Sequence, residues 1–123
     1  MKKIFTLLLI AFSEASFAST AAIYGEKLAE CSAYNSHASV IAAKIYKDNN
    51  MFTQRTSWMS TQLELAVKLI GKEQATATYS RISQIGRSYQ GDAQTYINFI
   101  GPNVQACDEY ISKNQDRIRQ FIR

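Results

Sequence analysis

The chain contains only two cysteines, Cys31 and Cys107, and they lie far apart in the sequence. Structural disulfides form in oxidising compartments, whereas a redox-active pair typically has the close C-x-x-C spacing that is absent from this sequence. We therefore predict that the two cysteines form one structural disulfide. In the chain-entropy model, closing a loop of this length stabilises the fold by about 4.5 kcal/mol.

The first 18 residues have the pattern of a bacterial signal peptide. Lysines near the start, an apolar stretch over residues 4–12 and small residues up to Ala18 match its three regions. The apolar stretch is too short to cross a bilayer, which takes about 20 helical residues. We expect a cleaved signal peptide (residues 1–18), one mature domain (residues 19–123), no membrane anchor, and a location in the periplasm or outside the cell.

Composition indicates a small helical domain. Hydrophobic residues make up 46% of the chain, and five Gly with one Pro leave few positions that favour turns. This balance favours a few long helices over many short strands. The net charge of +4 is mild, and an exported chain meets little nucleic acid, so we expect no nucleic-acid partner.

The first helix of the mature chain is predicted to start with Ser19 or Thr20 as its cap and to run to about Asp48. Its apolar residues recur at steps of three and four, which places them on one helical face. That inward face comprises Tyr24, Leu28, Cys31, Tyr34, Ala38, Ile41 and Ile45.

A second helix is predicted after a turn at Asn49 and Asn50, because asparagine favours turns and helix ends. We expect it to begin near Thr53. Its end is predicted at Gly71, since glycine readily adopts the left-handed conformation that follows many helices.

The most regular apolar period spans residues 75–100 and predicts one continuous third helix, about 39 Å long. Gly86 lies on its apolar face, where the missing side chain lets another helix approach closely. The main alternative is a break near Gly91 and Asp92, because Gly91 lies off that face.

Pro102 is predicted to end the third helix, because proline lacks a backbone N–H and its ring clashes with the preceding turn. A fourth helix then follows, with Cys107 on its inward face and Asn114 as the cap of the last turns. Short connections make consecutive helices antiparallel neighbours. The predicted fold class is all-α, a small up-and-down bundle of about four helices whose first and last members are joined by the disulfide.

No pattern of catalytic or metal-binding residues is present. His37 is the only histidine, whereas a zinc site needs three or four ligands. Neither a Gly-x-Ser-x-Gly elbow nor a glycine-rich phosphate loop occurs. We expect a partly exposed His37, carboxylates on polar helix faces, and a protein that is not an enzyme and uses no metal or cofactor.

One candidate contact surface for a partner lies near the start of the second helix. Methionine and aromatic side chains are concentrated at protein interfaces. The alternative is that these residues cap the core of the bundle. The candidate partner-binding residues are Met51, Phe52, Trp58 and Met59.

Tyrosine is unusually frequent, with seven in the chain. Tyrosines on the apolar helix faces could line a ligand cavity, since each offers an apolar ring and a polar hydroxyl. The alternative is that their rings fill the edges of a small core. The candidate ligand-binding residues are Tyr34, Tyr79, Tyr89 and Tyr96.

These observations predict an exported helical protein that binds rather than catalyses. The expected partner is another periplasmic or cell-envelope protein, in the manner of an inhibitor or an immunity protein. The alternative is a carrier of a small ligand, with a tyrosine-lined cavity between its helices.

Overall fold

The computed structural model describes the backbone of residues 2–122 and the side chains of residues 19–122. This part of the chain forms four α-helices and no strand, which confirms the predicted all-α bundle. The helices are α1 (Lys2–Ile41), α2 (Asn49–Ile70), α3 (Lys72–Arg87) and α4 (Ala93–Ile122), and one π-helical turn (Ala42–Tyr46) extends α1. The side chains of the predicted signal peptide lie outside the described residues, so its cleavage stays a prediction.

α1 is the central helix and packs against each of the other three, most extensively against α2. Along α1, Tyr24 contacts Phe121 and Tyr34 contacts Phe99, so α4 runs antiparallel to α1. α2 also runs antiparallel to α1, since the last turn of α2 lies against Gly25. α3 runs parallel to α1, since Arg81 pairs with Glu30 and Gly86 lies against His37, so the helices alternate in direction as predicted.

The starts of the first two helices differ from the prediction. The backbone of α1 continues through Ser19 and Thr20, so neither residue caps it. α2 begins at Asn49 because the Asp48 carboxylate accepts a hydrogen bond from the N–H of Met51 at 3.0 Å and caps the helix. A start near residue 53 was therefore too late.

The turn between α1 and α2 lies earlier than predicted, because Lys47 rather than an asparagine adopts the left-handed conformation, with φ at 54°. The predicted end of α2 is confirmed. Gly71 has φ at 87°, and its N–H donates to the carbonyl of Val67 at 2.8 Å. A side chain at this backbone conformation would be strained.

The prediction of one continuous helix over residues 75–100 is wrong, and the alternative break near Gly91 and Asp92 is confirmed. The side chain of Asp92 caps the helix that begins after this break. Its carboxylate accepts hydrogen bonds from the N–H of Thr95 at 2.8 Å and from the Thr95 hydroxyl at 2.7 Å. This cap starts α4 directly after the turn.

α4 continues through both Pro102 and Asn114, so the predictions that these residues end one helix and cap the next are wrong. Two asparagine side chains instead bond to the backbone within the helix. Asn103 donates to the carbonyl of Phe99 and Asn114 to that of Tyr110, each at 2.8 Å.

The predicted disulfide joins Cys31 of α1 to Cys107 of α4, and the two Cα atoms lie 5.5 Å apart, as this bond requires. Apolar clusters lie on both sides of it. One cluster centres on Leu28 and Ile118, and the other on Ile41 and Ile100. A disulfide is typical of proteins in oxidising compartments.

Within residues 19–122, none of the helices combines the length and apolar character needed to span a lipid bilayer.

Candidate functional site

α2 and α4 have few contacts with each other and leave a groove between them, because each packs mainly on α1. Two cavities occupy this groove, with volumes of about 740 Å³ and about 310 Å³. Leu28 of α1, which is 1% exposed, forms part of the floor of the larger cavity. The groove is therefore an open depression over the hydrophobic core.

The larger cavity is long and mainly apolar. Its lining residues on α4 extend from Asp108 to Ile122 at helical spacing, which corresponds to about 21 Å along the helix axis. α2 contributes a shorter wall with Trp58 at one end and Leu65 at the other.

The smaller cavity lies towards the N-terminal ends of α2 and α4. Met51 lines it from α2, and Ile97, Ile100 and Val104 line it from α4. Asp108 lines both cavities. The groove is thus divided at this carboxylate.

A polar bridge crosses the groove between the two cavities. Arg55 of α2 donates two hydrogen bonds to the carboxylate of Asp108, one from each terminal nitrogen and both at 3.1 Å. The guanidinium also lies 4.8 Å from the centroid of the Trp58 ring, close enough for a cation–π interaction. Asp108 follows Cys107 in the sequence, so the bridge lies beside the disulfide.

The bridge continues into the core through two amides. Arg55 Nη1 donates to Asn35 Oδ1 at 3.0 Å, and Asn35 Nδ2 donates to Gln62 Oε1 at 2.8 Å. Asn35 is 0% exposed and Gln62 is 8% exposed. Such buried polar side chains are stable because each is hydrogen-bonded.

Sequence reasoning missed this bridge. Asp108 was expected on a polar helix face, and Arg55 and Gln62 were given no role. One signal was available, because Asn35 lies four residues after Cys31 and therefore on the same inward face of α1.

The structure divides the predicted partner-binding residues between two faces of α2. Met51, Phe52 and Trp58 are exposed by 37%, 40% and 37%, but only Met51 and Trp58 line the groove. Met59 is partly buried on the side of α3, where its sulfur accepts a hydrogen bond from Tyr79 at 3.8 Å. Phe52 lines neither cavity.

None of the four predicted ligand-binding tyrosines lines either cavity of the groove. Tyr34 and Tyr89 both pack on Phe99, with ring centroids 6.3 Å and 4.2 Å away. Tyr96 is buried in the core, and Tyr79 contacts Met59 on another side of the bundle. Burial raises the pKa of both Tyr34 and Tyr96.

The expectation of a partly exposed His37 is wrong, because this residue is only 4% exposed. Its Nε2 lies 2.9 Å from the carbonyl of Ser83, which can only accept, so Nε2 carries the proton. Nδ1 then accepts from the hydroxyl of Tyr96, which in turn accepts from Gln90 at 3.2 Å.

Desolvation by burial lowers the pKa of His37, and the nearby charge of Arg87 adds to this effect. The imidazole is therefore neutral at pH 7 and links α1, α3 and α4. Within residues 19–122, no three His, Cys, Asp or Glu side chains are grouped closely enough to hold a metal ion.

Comparison with protein-family models, with curated proteins and with solved structures finds no significant match for this chain.

Proposed function

We propose that this protein is a non-enzymatic, exported binding protein whose partner is another protein of the periplasm or cell envelope. The observation that carries the proposal is the open apolar groove between α2 and α4, with Trp58 exposed at its edge. Exposed tryptophans beside apolar pockets are typical centres of binding energy in protein interfaces.

The dimensions of the groove favour a segment of a protein as its occupant. It is open to solvent along its length, and the α4 wall of the larger cavity extends over about four helical turns. An amphipathic helix fits a groove of this kind by inserting one apolar face. An inhibitor or immunity protein could use such a contact to hold its target.

Affinity capture from a periplasmic extract of the source bacterium tests this function. The intact protein is compared with Trp58→Ala, which removes the aromatic edge of the groove, and with Ile85→Ala as a matched control. Ile85 is also exposed, but it lies on α3 and lines neither cavity.

The expected result is a protein captured by the wild type and by Ile85→Ala, and reduced at least tenfold with Trp58→Ala. The captured protein is then purified and titrated against all three variants. Equal affinity for all three would rule out the groove as the contact surface.

A second candidate function is a carrier of a small ligand, favoured by the volume of the larger cavity, about 740 Å³. Small-molecule sites typically have volumes of about 300–1,000 Å³. The ligand would lie in the groove rather than among the tyrosines. Trp58 is the only tryptophan, so its fluorescence reports on this cavity. A fluorescence shift on adding solvent extracts of the periplasm would support this candidate, provided that titration with the purified active compound gives the same shift.

A further inference from the structure

We propose that the occupant of the larger cavity is an amphipathic helix with one acidic side chain in its apolar face, bound by the amide nitrogen of Gln62. This inference rests on the proposed function and specifies the chemistry of the partner.

The orientation of each amide in the bridge follows from Arg55, because a guanidinium can only donate. The Asn35 atom that it contacts must therefore be the acceptor, Oδ1. The other side-chain atom of Asn35 is then the nitrogen, which must donate, so it faces Gln62 Oε1. Gln62 Oε1 therefore faces Asn35, and Gln62 Nε2 is the side-chain atom that does not.

Gln62 lines the larger cavity, and its Nε2 has no hydrogen bond to any residue in 19–122. Gln62 as a whole residue is only 8% exposed. An apolar occupant would shut water out and leave these two N–H donors unpaired, at a considerable cost in affinity. An occupant that offers an acceptor avoids this cost.

The charges that line the cavity favour an acidic acceptor over a neutral one. The Asp108 carboxylate is neutralised by Arg55. Arg119, about three turns further along α4, also lines the cavity and forms no salt bridge within residues 19–122. Among the described residues, the groove therefore offers one unpaired positive charge and a pair of neutral donors, which complement carboxylates on the partner.

The test uses a displayed library of amphipathic helices of about 16 residues, a length of about 24 Å. Leucine occupies the apolar face of every member, and one central position of that face is randomised. Binding is selected separately on the full-length wild type and on Gln62→Glu. Glutamate keeps an oxygen for Asn35 and replaces the two donors of Nε2 with an acceptor.

We expect the wild type to enrich Asp and Glu at the randomised position and Gln62→Glu to enrich Lys and Arg. The best wild-type helix should bind Gln62→Glu at least tenfold more weakly, which corresponds to the loss of about one hydrogen bond to a charged group. In a second library, the position of the apolar face nearest residue 119 is randomised instead; selection on Arg119→Glu should enrich basic residues there, whereas the wild type should enrich acidic ones. Circular dichroism checks that both variants are folded.

Enrichment of the same residues on the wild type and on Gln62→Glu would overturn this inference, provided that Trp58→Ala still abolishes binding. The groove would then bind helices without the proposed specificity. Enriched helices that bind Trp58→Ala as well as the wild type, or no enrichment at all, would overturn helix binding in the groove itself. In that case a direct interaction captured from the extract would have to use another surface.

Discussion

The backbone of Gly86 on α3 lies directly against the imidazole of His37 on α1. A Cβ atom at residue 86 would overlap the ring, and its distance to Cε1 would be only 2.9 Å. Real Cβ atoms do not approach other heavy atoms this closely. The sequence analysis placed Gly86 on the apolar face of its helix, and at this residue α3 packs closely against α1.

Gly86→Ala is therefore expected to destabilise the fold by about 1–3 kcal/mol, because His37 is hydrogen-bonded on both nitrogens and cannot move aside freely. Urea unfolding followed by circular dichroism measures the effect. Gly91→Ala is the matched control, since a Cβ there has no neighbour within 4 Å, and it should change stability by no more than about 0.5 kcal/mol. Equal effects of the two substitutions would contradict the close packing.

The stability of the protein should decrease below about pH 6.5 because of His37. Burial lowers the pKa of His37 in the folded state below its ordinary value of 6.5. As the pH falls through 6.5, the unfolded chain binds a proton that the folded protein does not, so unfolding becomes easier. The free energy of unfolding should fall by at most about 1.4 kcal/mol per pH unit, until the folded protein also protonates His37.

The measurement is the free energy of unfolding of the wild type between pH 7.5 and pH 5.5, compared with that of His37→Gln. Glutamine does not titrate, so the variant should be less stable at pH 7.5 but much less sensitive to pH. Parallel pH profiles for the two proteins would show that His37 does not cause the change.

Local chemistry made some features predictable from the sequence. Gly71 ends α2 with a positive φ that favours glycine, and two cysteines on inward helix faces can pair in only one way. By contrast, His37 was expected to be partly exposed, because a helix was assumed to bury only one face. α1 is the central helix and is covered on several sides, so polar residues such as Asn35 and His37 are buried as well.

Other features depended on contacts between distant parts of the chain. Pro102 was expected to end a helix, since proline inside a helix costs about 3 kcal/mol. Ile100 and Val104 on either side of it are both buried in one cluster, and this packing keeps α4 continuous. The hydrogen bond between Asn35 and Gln62 joins residues 27 positions apart in the sequence. It depends on how α1 and α2 are aligned along their axes, and no local sequence pattern predicts that alignment.

The disulfide should supply a large share of the stability of the fold. The bond between Cys31 and Cys107 spans 76 positions of sequence, and we expect the double variant Cys31→Ala, Cys107→Ala to lose about 2–5 kcal/mol of unfolding free energy. Total stabilities of small domains are about 5–15 kcal/mol. Urea unfolding of both proteins, with and without a reducing agent, makes the measurement.

The reducing agent should destabilise the wild type by a similar amount and leave the double variant unchanged. A loss of less than about 1 kcal/mol in the double variant would mean that the packing of α1 and α4 alone fixes the order of the bundle.

The bridge between Arg55 and Asp108 is expected to stabilise the fold more than an ordinary surface ion pair. Its two hydrogen bonds are parallel, and the guanidinium is largely buried under Trp58. A double-mutant cycle with Arg55→Met and Asp108→Asn should give a coupling energy of about 1 kcal/mol, measured by urea unfolding.

The control cycle uses Lys68→Met and Glu64→Gln, an exposed pair on α2 at 4.0 Å, and should give about 0.3 kcal/mol. Added salt should remove the coupling of the control pair and leave most of that between Arg55 and Asp108, because water and ions reach the bridge less easily. A coupling that is equally small and equally sensitive to salt in both cycles would show that the bridge is only a surface contact.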